Sequence, residues 1–164
     1  MPQEDEVDRI VAAWGRERDD LNFGPLEVLS RVDRLARHLD RARRAAFDES
    51  DVESWEFDVL SALRRAGEPY ELSPKSLLRQ TLVSSGTMTN RVDRLAARGL
   101  VARRTDPKDG RGILVSLTAQ GRVAVDAAIA DLLAAERDIL AGVSDTEQVQ
   151  LSGLLRRLIL GLGD

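Results

Sequence analysis

The stretch Ser84–Leu117, SSGTMTNRVDRLAARGLVARRTDPKDGRGILVSL, decides the fold, because its pattern predicts one helix followed by a two-stranded β-wing. The helix has a narrow apolar seam at helical spacing, made of Met88, Val92, Leu95, Ala96 and Gly99. After Gly99 the period changes: Val101 begins one strand, and a second strand alternates through Ile113, Val115 and Leu117. Asp-Pro and Asp-Gly between the two strands predict a turn.

The side of this helix opposite the seam is small, hydrogen-bonding and cationic, with Gly86, Thr87, Asn90, Arg91 and Arg94. Such a face suits the DNA major groove, where Thr, Asn and Arg side chains address base edges. We therefore predict that Thr87, Asn90, Arg91 and Arg94 enter the groove. Ser84, Ser85 and Thr89 are predicted to be phosphate donors or helix caps. The plain alternative is that the arginines form a solvated helix surface.

The same stretch is locally positive in a chain whose formal net charge is −4. Its basic residues are Arg91, Arg94, Arg98, Arg103, Arg104, Lys108 and Arg111, and its acidic ones are Asp93, Asp106 and Asp109. A negative net charge argues against indiscriminate binding to nucleic acid or acidic membranes. It leaves specific DNA binding open, because phosphate contacts depend on the local patch.

Composition limits the remaining possibilities. The 164 residues suffice for one compact domain, and only 4% are aromatic, which indicates an aliphatic, mainly helical core. The chain has no cysteine, which excludes disulfides, thiolate metal sites and a cysteine-oxidation switch. The acidic N-terminus lacks an apolar core, and no apolar run approaches the ~18 residues of a membrane span. We expect a soluble, cytoplasmic protein.

Helical periodicity extends over most of the chain. It predicts helices from Glu4 to about Arg18, from Leu26 to about Phe47, from Asp51 to Arg65 and from Ser73 through Gln80. Ser50 and Glu53 resemble a capping box for the third of these. After the wing, Thr118 is predicted to cap a helix to about Leu140, and Ser144 with Glu147 to cap a last one ending near Leu160.

The final helix is apolar over much of its circumference, with Leu151, Leu154, Leu155, Leu158, Ile159 and Leu162. Such a helix requires burial on more than one side. We predict that the terminal helices, 4–48 and 118–162, form a homodimer interface around a winged helix-turn-helix at about 50–117. A helix-turn-helix reader usually contacts two half-sites, which favours the dimer. The alternative is a monomer whose final helix packs against the first two.

Asp58 and Arg65 on the third helix suggest a ligand site. They are seven residues apart, so they lie on one face, roughly 10 Å apart along the axis. Ser61 and Ala62 between them are small, and the carboxylate and guanidinium could together receive a flat polar molecule. The alternative is that both residues pair with other surface charges.

The run SGTMTNRVDRLAARGLVARRTDPKDGRG closely resembles the recognition helix and wing of the MarR-type winged-helix transcriptional regulators. An Asp-x-x-Asp-x-Arg pattern marks the wing in that family, and here it is formed by Asp106, Asp109 and Arg111. The resemblance implies a mainly α intertwined homodimer that binds a pseudo-palindromic operator in double-stranded DNA. Arg104, Lys108 and Arg111 would extend the positive surface, Arg111 as a minor-groove arginine, while Asp109 would hold the wing in shape.

The chain also resembles the urate-responsive branch of this family, whose members carry an extra N-terminal helix. That branch uses a Trp on the extra helix, an Asp and an Arg on the third helix, and an Arg in the first wing strand. The matching positions are Trp14, Asp58, Arg65 and Arg103. The resemblance implies that Trp14 covers a purine and that Arg65 and Arg103 hold its anionic edge. Trp14 as plain core packing remains the alternative.

The residues predict a repressor relieved by a small anionic ligand, and the resemblance implies that this ligand is urate or a related purine. A phenolic or aromatic carboxylate effector, or a winged-helix module that binds a protein partner, are the alternatives. An enzyme is not expected, because no phosphate-binding glycine loop or nucleophile arrangement is present. No cofactor is expected, and a single histidine, His38, makes no metal site.

Overall fold

The computed structural model describes residues 4–163, except residues 82, 108 and 111. The described residues form seven helices and three short strands. The elements are α1 (Glu6–Glu17), α2 (Gly24–Glu49), α3 (Ser54–Arg65), β1 (Glu71–Leu72), α4 (Pro74–Thr81), α5 (Ser85–Ala97), β2 (Val101–Thr105), β3 (Ile113–Leu117), α6 (Ala119–Ile139) and α7 (Asp145–Gly161). This order confirms the predicted mainly α winged helix-turn-helix.

The chain divides into two compact units, and the boundary lies inside α2, between Ala42 and Arg43. In the first unit, the Asp5 side chain caps α1 by accepting hydrogen bonds from the backbone N–H groups of Val7 and Asp8. Arg31 of α2 donates to Asp5 at 2.8 Å and to Asp8 at 2.7 Å. Charge pairing thus links the start of α1 to α2, whose sequence supplies the arginines.

In the second unit, aliphatic residues of α3, α4, α5, the sheet and α6 form one core. Leu60, Leu63, Leu77, Leu95 and Val115 are among its fully buried members. Phe47 and Phe57 stack with their ring centroids 4.5 Å apart. The predicted seam of α5 is confirmed for Met88, Val92 and Leu95, which are buried.

The wing belongs to a three-stranded antiparallel sheet in the order β1-β3-β2. Val101 pairs with Leu117 and Thr105 with Ile113 across the hairpin, and Glu71 and Leu72 of β1 pair with Ser116 and Val115 of β3. Sequence periodicity did not predict β1. Two residues are too few to show alternation, and their strand geometry depends on β3, which lies more than forty residues later.

Two local predictions about helix ends are wrong. Gly99 does not lie in the helical seam: its φ is +72°, and it ends α5 in a left-handed conformation that glycine adopts without a steric penalty. Ser50 does not cap α3. The helix begins at Ser54, with Glu53 as N-cap residue and Glu56 accepting from the Glu53 N–H, because the chain must first turn through Asp51 to bury Val52. Ser50 instead donates to Asp131.

The caps predicted for α6 and α7 are confirmed, and Ser84, predicted as a phosphate donor or a cap, caps α5. Ser84 accepts from the Thr87 N–H at the start of α5, and Thr118 accepts from the Gly121 N–H at the start of α6. Ser144 and Glu147 form the capping box of α7. None of the seventeen residues of α7, all of them described, is buried. Its apolar side chains Leu154, Leu158, Ile159 and Leu160 are about half exposed or more.

Candidate nucleic-acid interface and effector cavity

The face of α5 opposite the core is exposed along its length. Thr87, Asn90 and Arg94 are exposed and Arg91 is partly exposed, as the helical spacing predicted. Ser84 is occupied as the cap, and its hydroxyl lies 2.9 Å from the hydroxyl of Thr87. The Thr89 hydroxyl donates to the Ser85 carbonyl. The Thr89 hydroxyl is thus engaged within the helix. The Ser84–Thr87 hydroxyl pair lies beside the N–H groups of a helix N-terminus, an arrangement that favours anions.

Arg94 has partners on α3. Its Nη2 donates to Glu53 Oε1 at 3.1 Å, and its guanidinium carbon lies 4.5 Å from the Trp55 ring centroid. The guanidinium carbon of Arg91 lies 5.7 Å from the same centroid. The second carboxylate oxygen of Glu53 accepts from Trp55 Nε1 at 2.6 Å. Sequence analysis gave Glu53 only a capping role and Trp55 none. Their contacts with Arg94 could not be predicted, because about forty residues separate them from it.

The base of the wing also contains charge pairs. Arg104 donates from Nε to Glu71 Oε1 at 2.7 Å and also from Nη2 to Oε2, a bidentate pair between β2 and β1. These hydrogen bonds lower the pKa of the Glu71 carboxyl and raise that of Arg104. Arg103 Nη2 lies 2.6 Å from Asp93 Oδ1 of α5. Of the predicted DNA-binding residues, Lys108 and Arg111 lie outside the described residues.

Asp58 and Arg65 line one cavity of about 220 Å³, which we call the effector cavity. Its other lining residues are Arg43, Phe57, Ser61, Gln80 and Thr81. Arg43 Nη2 donates to Asp58 Oδ1 at 3.1 Å, and Arg65 Nη1 donates to Ser61 Oγ at 3.2 Å. The cavity thus combines two guanidinium groups, one carboxylate, two hydroxyls and an amide around one aromatic ring, which is a set suited to a small polar anion.

The structure does not bring Arg103 to this cavity. Arg103 instead lines a separate, largely apolar cavity of about 210 Å³ between α4, α5 and the wing, with Pro74, Leu78, Met88 and Val92 among the other residues. Trp14, in the first unit, is 51% exposed and stacks on Phe23 with ring centroids 6.2 Å apart. With half of its surface exposed, Trp14 is not a buried core residue, so its burial does not support the alternative that it serves only in core packing.

Sequence analysis missed Arg43, Gln80 and Thr81 as cavity residues. Sequence analysis gave Arg43 and Thr81 no role, and Gln80 appeared only as the last residue of the predicted fourth helix. Asp58 and Arg65 could be linked because both lie on α3, where helical geometry relates them. The residues from α2 and α4 are brought beside them only by tertiary packing, for which the sequence contains no local pattern.

Helix, turn, exposed cationic helix and adjoining β-hairpin together define a winged helix-turn-helix of the DNA-binding class. The family model of the MarR family matches residues 50–112. The HTH-type transcriptional regulator PecS of Dickeya dadantii is 34% identical over 153 residues, covering 93% of this chain and 92% of PecS. The transcriptional repressor NicR of Pseudomonas putida is 31% identical, covering 85% of this chain and 89% of NicR. The chain belongs to the MarR family of transcriptional regulators.

Solved structures agree on the fold. A mutant of MarR from E. coli in complex with operator DNA has a TM-score of 0.67 at 23% identity, covering 94% of this chain and 99% of that one. BpsR of Bordetella bronchiseptica, whose DNA binding is regulated by 6-hydroxynicotinic acid, has a TM-score of 0.60 at 29% identity, covering 77% and 91%. Within the described residues, no helix combines the length and apolar character required to cross a membrane.

Proposed function

We propose that the protein is a homodimeric transcriptional repressor whose binding to an operator is relieved by a small anionic ligand such as urate. The observation that carries the DNA part is the exposed α5 face, where Thr87, Asn90, Arg91 and Arg94 lie side by side opposite a buried seam. These side chains are the hydrogen-bonding types that read base edges. A protein-docking surface would instead present apolar anchors.

The dimer is supported by apolar surface that the single chain leaves uncovered. In the second unit, α7 buries no residue, and Val123 and Leu133 of α6 are 72% and 49% exposed. In the first unit, Val28, Leu29 and Val32 of α2 are exposed as well. Stripes of this kind mark interaction surfaces in soluble proteins. Two-fold pairing would also supply the two half-site readers that a pseudo-palindromic operator requires.

The effector part rests on the effector cavity. The cavity has a volume of about 220 Å³, which suits a ligand smaller than a typical drug, and its guanidinium groups can bind an anionic oxygen. Asp58 can accept from ring N–H groups, as urate would offer. The relative BpsR responds to 6-hydroxynicotinic acid, which is an aromatic carboxylate, so this class is the second candidate. Urate is preferred because Asp58 gives the cavity an acceptor for N–H groups in addition to cations.

Arg103 lines a different cavity, so a route from ligand to DNA through this residue requires that Arg103 move to the bound ligand. In this chain Arg103 of β2 pairs with Asp93 of α5 at 2.6 Å, so it ties the wing to the recognition helix. A ligand that captured Arg103 would have to break that ion pair and would release wing and helix from each other. A coupling free energy of ~1–3 kcal/mol between ligand and DNA is enough to change operator occupancy.

The DNA part is tested by a mobility-shift titration with the duplex upstream of the protein's own gene. Arg94→Ala and Arg111→Ala should each abolish or greatly weaken binding and leave the dimer intact by sedimentation. Arg18→Ala is the matched control, because Arg18 is an exposed arginine paired with Asp20 in the first unit. Wild-type affinity in both test variants would refute the assignment of α5 and the wing to DNA.

The effector part is tested by isothermal titration with urate and, separately, with 6-hydroxynicotinate. Urate should bind the wild type, lower its operator affinity and bind Arg65→Ala much more weakly. Binding of 6-hydroxynicotinate alone would replace the purine by an aromatic carboxylate. Absence of urate binding, or normal urate binding by Arg65→Ala, would end the purine proposal and leave the DNA proposal standing.

A further inference from the structure

Glu53 and Trp55, at the start of α3, contact the arginine that is central to the predicted reading face. Glu53 accepts from Arg94 Nη2 through one carboxylate oxygen, at 3.1 Å, and from Trp55 Nε1 through the other, at 2.6 Å. The Trp55 ring lies under the Arg94 guanidinium, 4.5 Å from its carbon. Trp55 thus holds one oxygen of the Glu53 carboxylate, while the other oxygen and the Trp55 ring both contact the Arg94 guanidinium and restrict its position.

The position of Glu53 is itself supported by α3. Glu53 is the N-cap residue, and its backbone N–H donates to the carboxylate of Glu56 at 3.0 Å. Glu56 is buried, with 1% of its surface exposed, so this end of α3 is anchored in the core. Arg94 thus emerges from the recognition helix against a carboxylate that belongs to a rigid element, which is how a precise polar site is supported.

The Arg94–Glu53 ion pair contributes little to stability, because both side chains are more than half exposed. Its effect is on geometry. A guanidinium has five N–H donors in a planar fork, and Glu53 accepts from Nη2. The remaining donors include an edge that can give two parallel hydrogen bonds, the arrangement by which arginine contacts O6 and N7 of guanine.

The carboxylate also selects the kind of DNA atom that Arg94 can approach. A phosphate beside Arg94 would lie near the negative Glu53, and like-charge juxtaposition opposes that contact. The O6 and N7 acceptors of a guanine edge carry no net charge, so the Glu53 carboxylate repels them much less than it repels a phosphate. We propose that Glu53 and Trp55 are positioning residues that hold Arg94 as a pre-oriented fork for one guanine in each operator half-site. This inference rests on the proposed DNA-binding function and adds its specificity.

The experiment uses the full-length protein and a set of fluorescent operator duplexes in which each G·C pair of the half-site is replaced in turn by A·T. Wild type should lose about tenfold in affinity at one guanine position, the discrimination expected of a bidentate arginine contact. Glu53→Gln should lose this preference at the same position, and its affinity for unrelated DNA should stay equal or rise. Arg94→Lys should also lose the preference, since lysine keeps the charge without the fork.

A double-mutant cycle separates positioning from general electrostatics. If Glu53 acts through Arg94, Glu53→Gln should change the guanine preference no further in the Arg94→Lys background. Trp55→Leu, which removes the aromatic surface under the guanidinium, should weaken the same preference. Asp126→Asn is the charge-matched control, because it also removes one carboxylate that pairs with an arginine. Asp126 lies on α6 and pairs with Arg64 of α3, so this variant should keep the guanine preference of the wild type.

Three results would overturn the inference. The first is a full guanine preference in Glu53→Gln. The second is an equal gain in affinity for every duplex, which would make Glu53 a repulsive charge only. The third is a wild type that binds the operator but ignores each guanine substitution. If wild type bound no duplex in preference to unrelated DNA, the proposed function itself would fail, which is a distinct outcome.

Discussion

Arg98 Nη1 lies 2.5 Å from Glu56 Oε2 and joins the end of the recognition helix to the buried start of α3. The same carboxylate oxygen accepts from the Glu53 N–H, and Arg98 Nη2 reaches both the carbonyl and the carboxylate of Asp51 at 2.8 Å. The hydrogen bond to Glu56 raises the pKa of Arg98. Arg98 belongs by sequence to the cationic surface of α5, but its contacts give it a structural role in setting how α5 meets α3.

Removing this guanidinium should destabilise the fold, because Glu56 would remain buried without its cation. Loss of one partner of a fully buried ion pair lowers the free energy of unfolding by about 3–5 kcal/mol. Because Arg98 is itself partly exposed, water screens part of the interaction, and we expect Arg98→Ala to lower the free energy of unfolding by about 2 kcal/mol. Urea unfolding at matched protein concentration measures the change. Arg18→Ala, which breaks an exposed pair with Asp20, should change nothing measurable. Equal effects in the two variants would contradict the structural role of Arg98.

Arg98 also shows where prediction from sequence ends. The caps at Ser84, Thr118 and Ser144 were predictable because each involves residues three apart in the chain. The hairpin was predictable because its second strand alternates in sequence and its turn residues are local. Pairing of Arg98 with Glu56 is not of this kind, since about forty residues separate them and many other carboxylates were available. Spacing identified the charged face, and tertiary packing decided which of its arginines have acidic partners.

The effector cavity shows the same division. Asp58 and Arg65 were predictable as a pair because one helix relates them, whereas Arg43 reaches Asp58 from α2. The resemblance to the urate-responsive branch supplied Arg103 in place of Arg43, but in this chain Arg103 lines another cavity. Both residues are arginines, so only the folding of the chain decides that Arg43 lines the effector cavity and Arg103 does not.

Gly121 is required by a close approach of backbone to backbone. A Cβ atom at this position would lie 1.9 Å from the carbonyl oxygen of Leu100, the residue directly before β2. The start of α6 would therefore have to move away from this segment. We expect Gly121→Ala to destabilise the protein by several kcal/mol, or to prevent folding, despite the better helix propensity of alanine. Thermal unfolding of Gly121→Ala and of Gly15→Ala provides the comparison. A Cβ at Gly15 meets nothing within 4 Å, so this control should be neutral or stabilised by about 0.5–1 kcal/mol.

Arg43 should contribute to effector binding although the sequence did not single it out. Its guanidinium bonds Asp58 and lies 5.6 Å from the Phe57 ring centroid, so it faces the same cavity as Arg65. We expect Arg43→Met, which keeps the aliphatic volume, to weaken urate binding about tenfold, the usual effect of losing one charge-assisted hydrogen bond. Isothermal titration measures this, with Arg44→Met as control for the neighbouring charge. Unchanged urate affinity in Arg43→Met would remove Arg43 from the site.

Asp5 should make the first unit sensitive to acid. The hydrogen bond from Arg31, aided by the backbone N–H groups of Asp8 and Val7, lowers the pKa of Asp5 from 3.8 to about 2. A carboxyl whose pKa is lower in the folded state stabilises that state above the unfolded pKa, and loses this contribution as pH falls through the folded value. The link between α1 and Arg31 should therefore weaken between pH 3.8 and about 2.

A carboxyl-carbon NMR titration of Asp5 should give a midpoint near 2, while the amide signals of α1 report loss of the link over the same range. Asp5→Asn is the matched control, because asparagine still caps a helix but carries no titrating charge. The variant should lack the part of the acid response that Asp5 causes, and its α1 should already be less firmly tied to Arg31 at neutral pH. A wild-type midpoint at 3.8, or the same acid response in Asp5→Asn, would show that the Asp5–Arg31 pair does not form in solution.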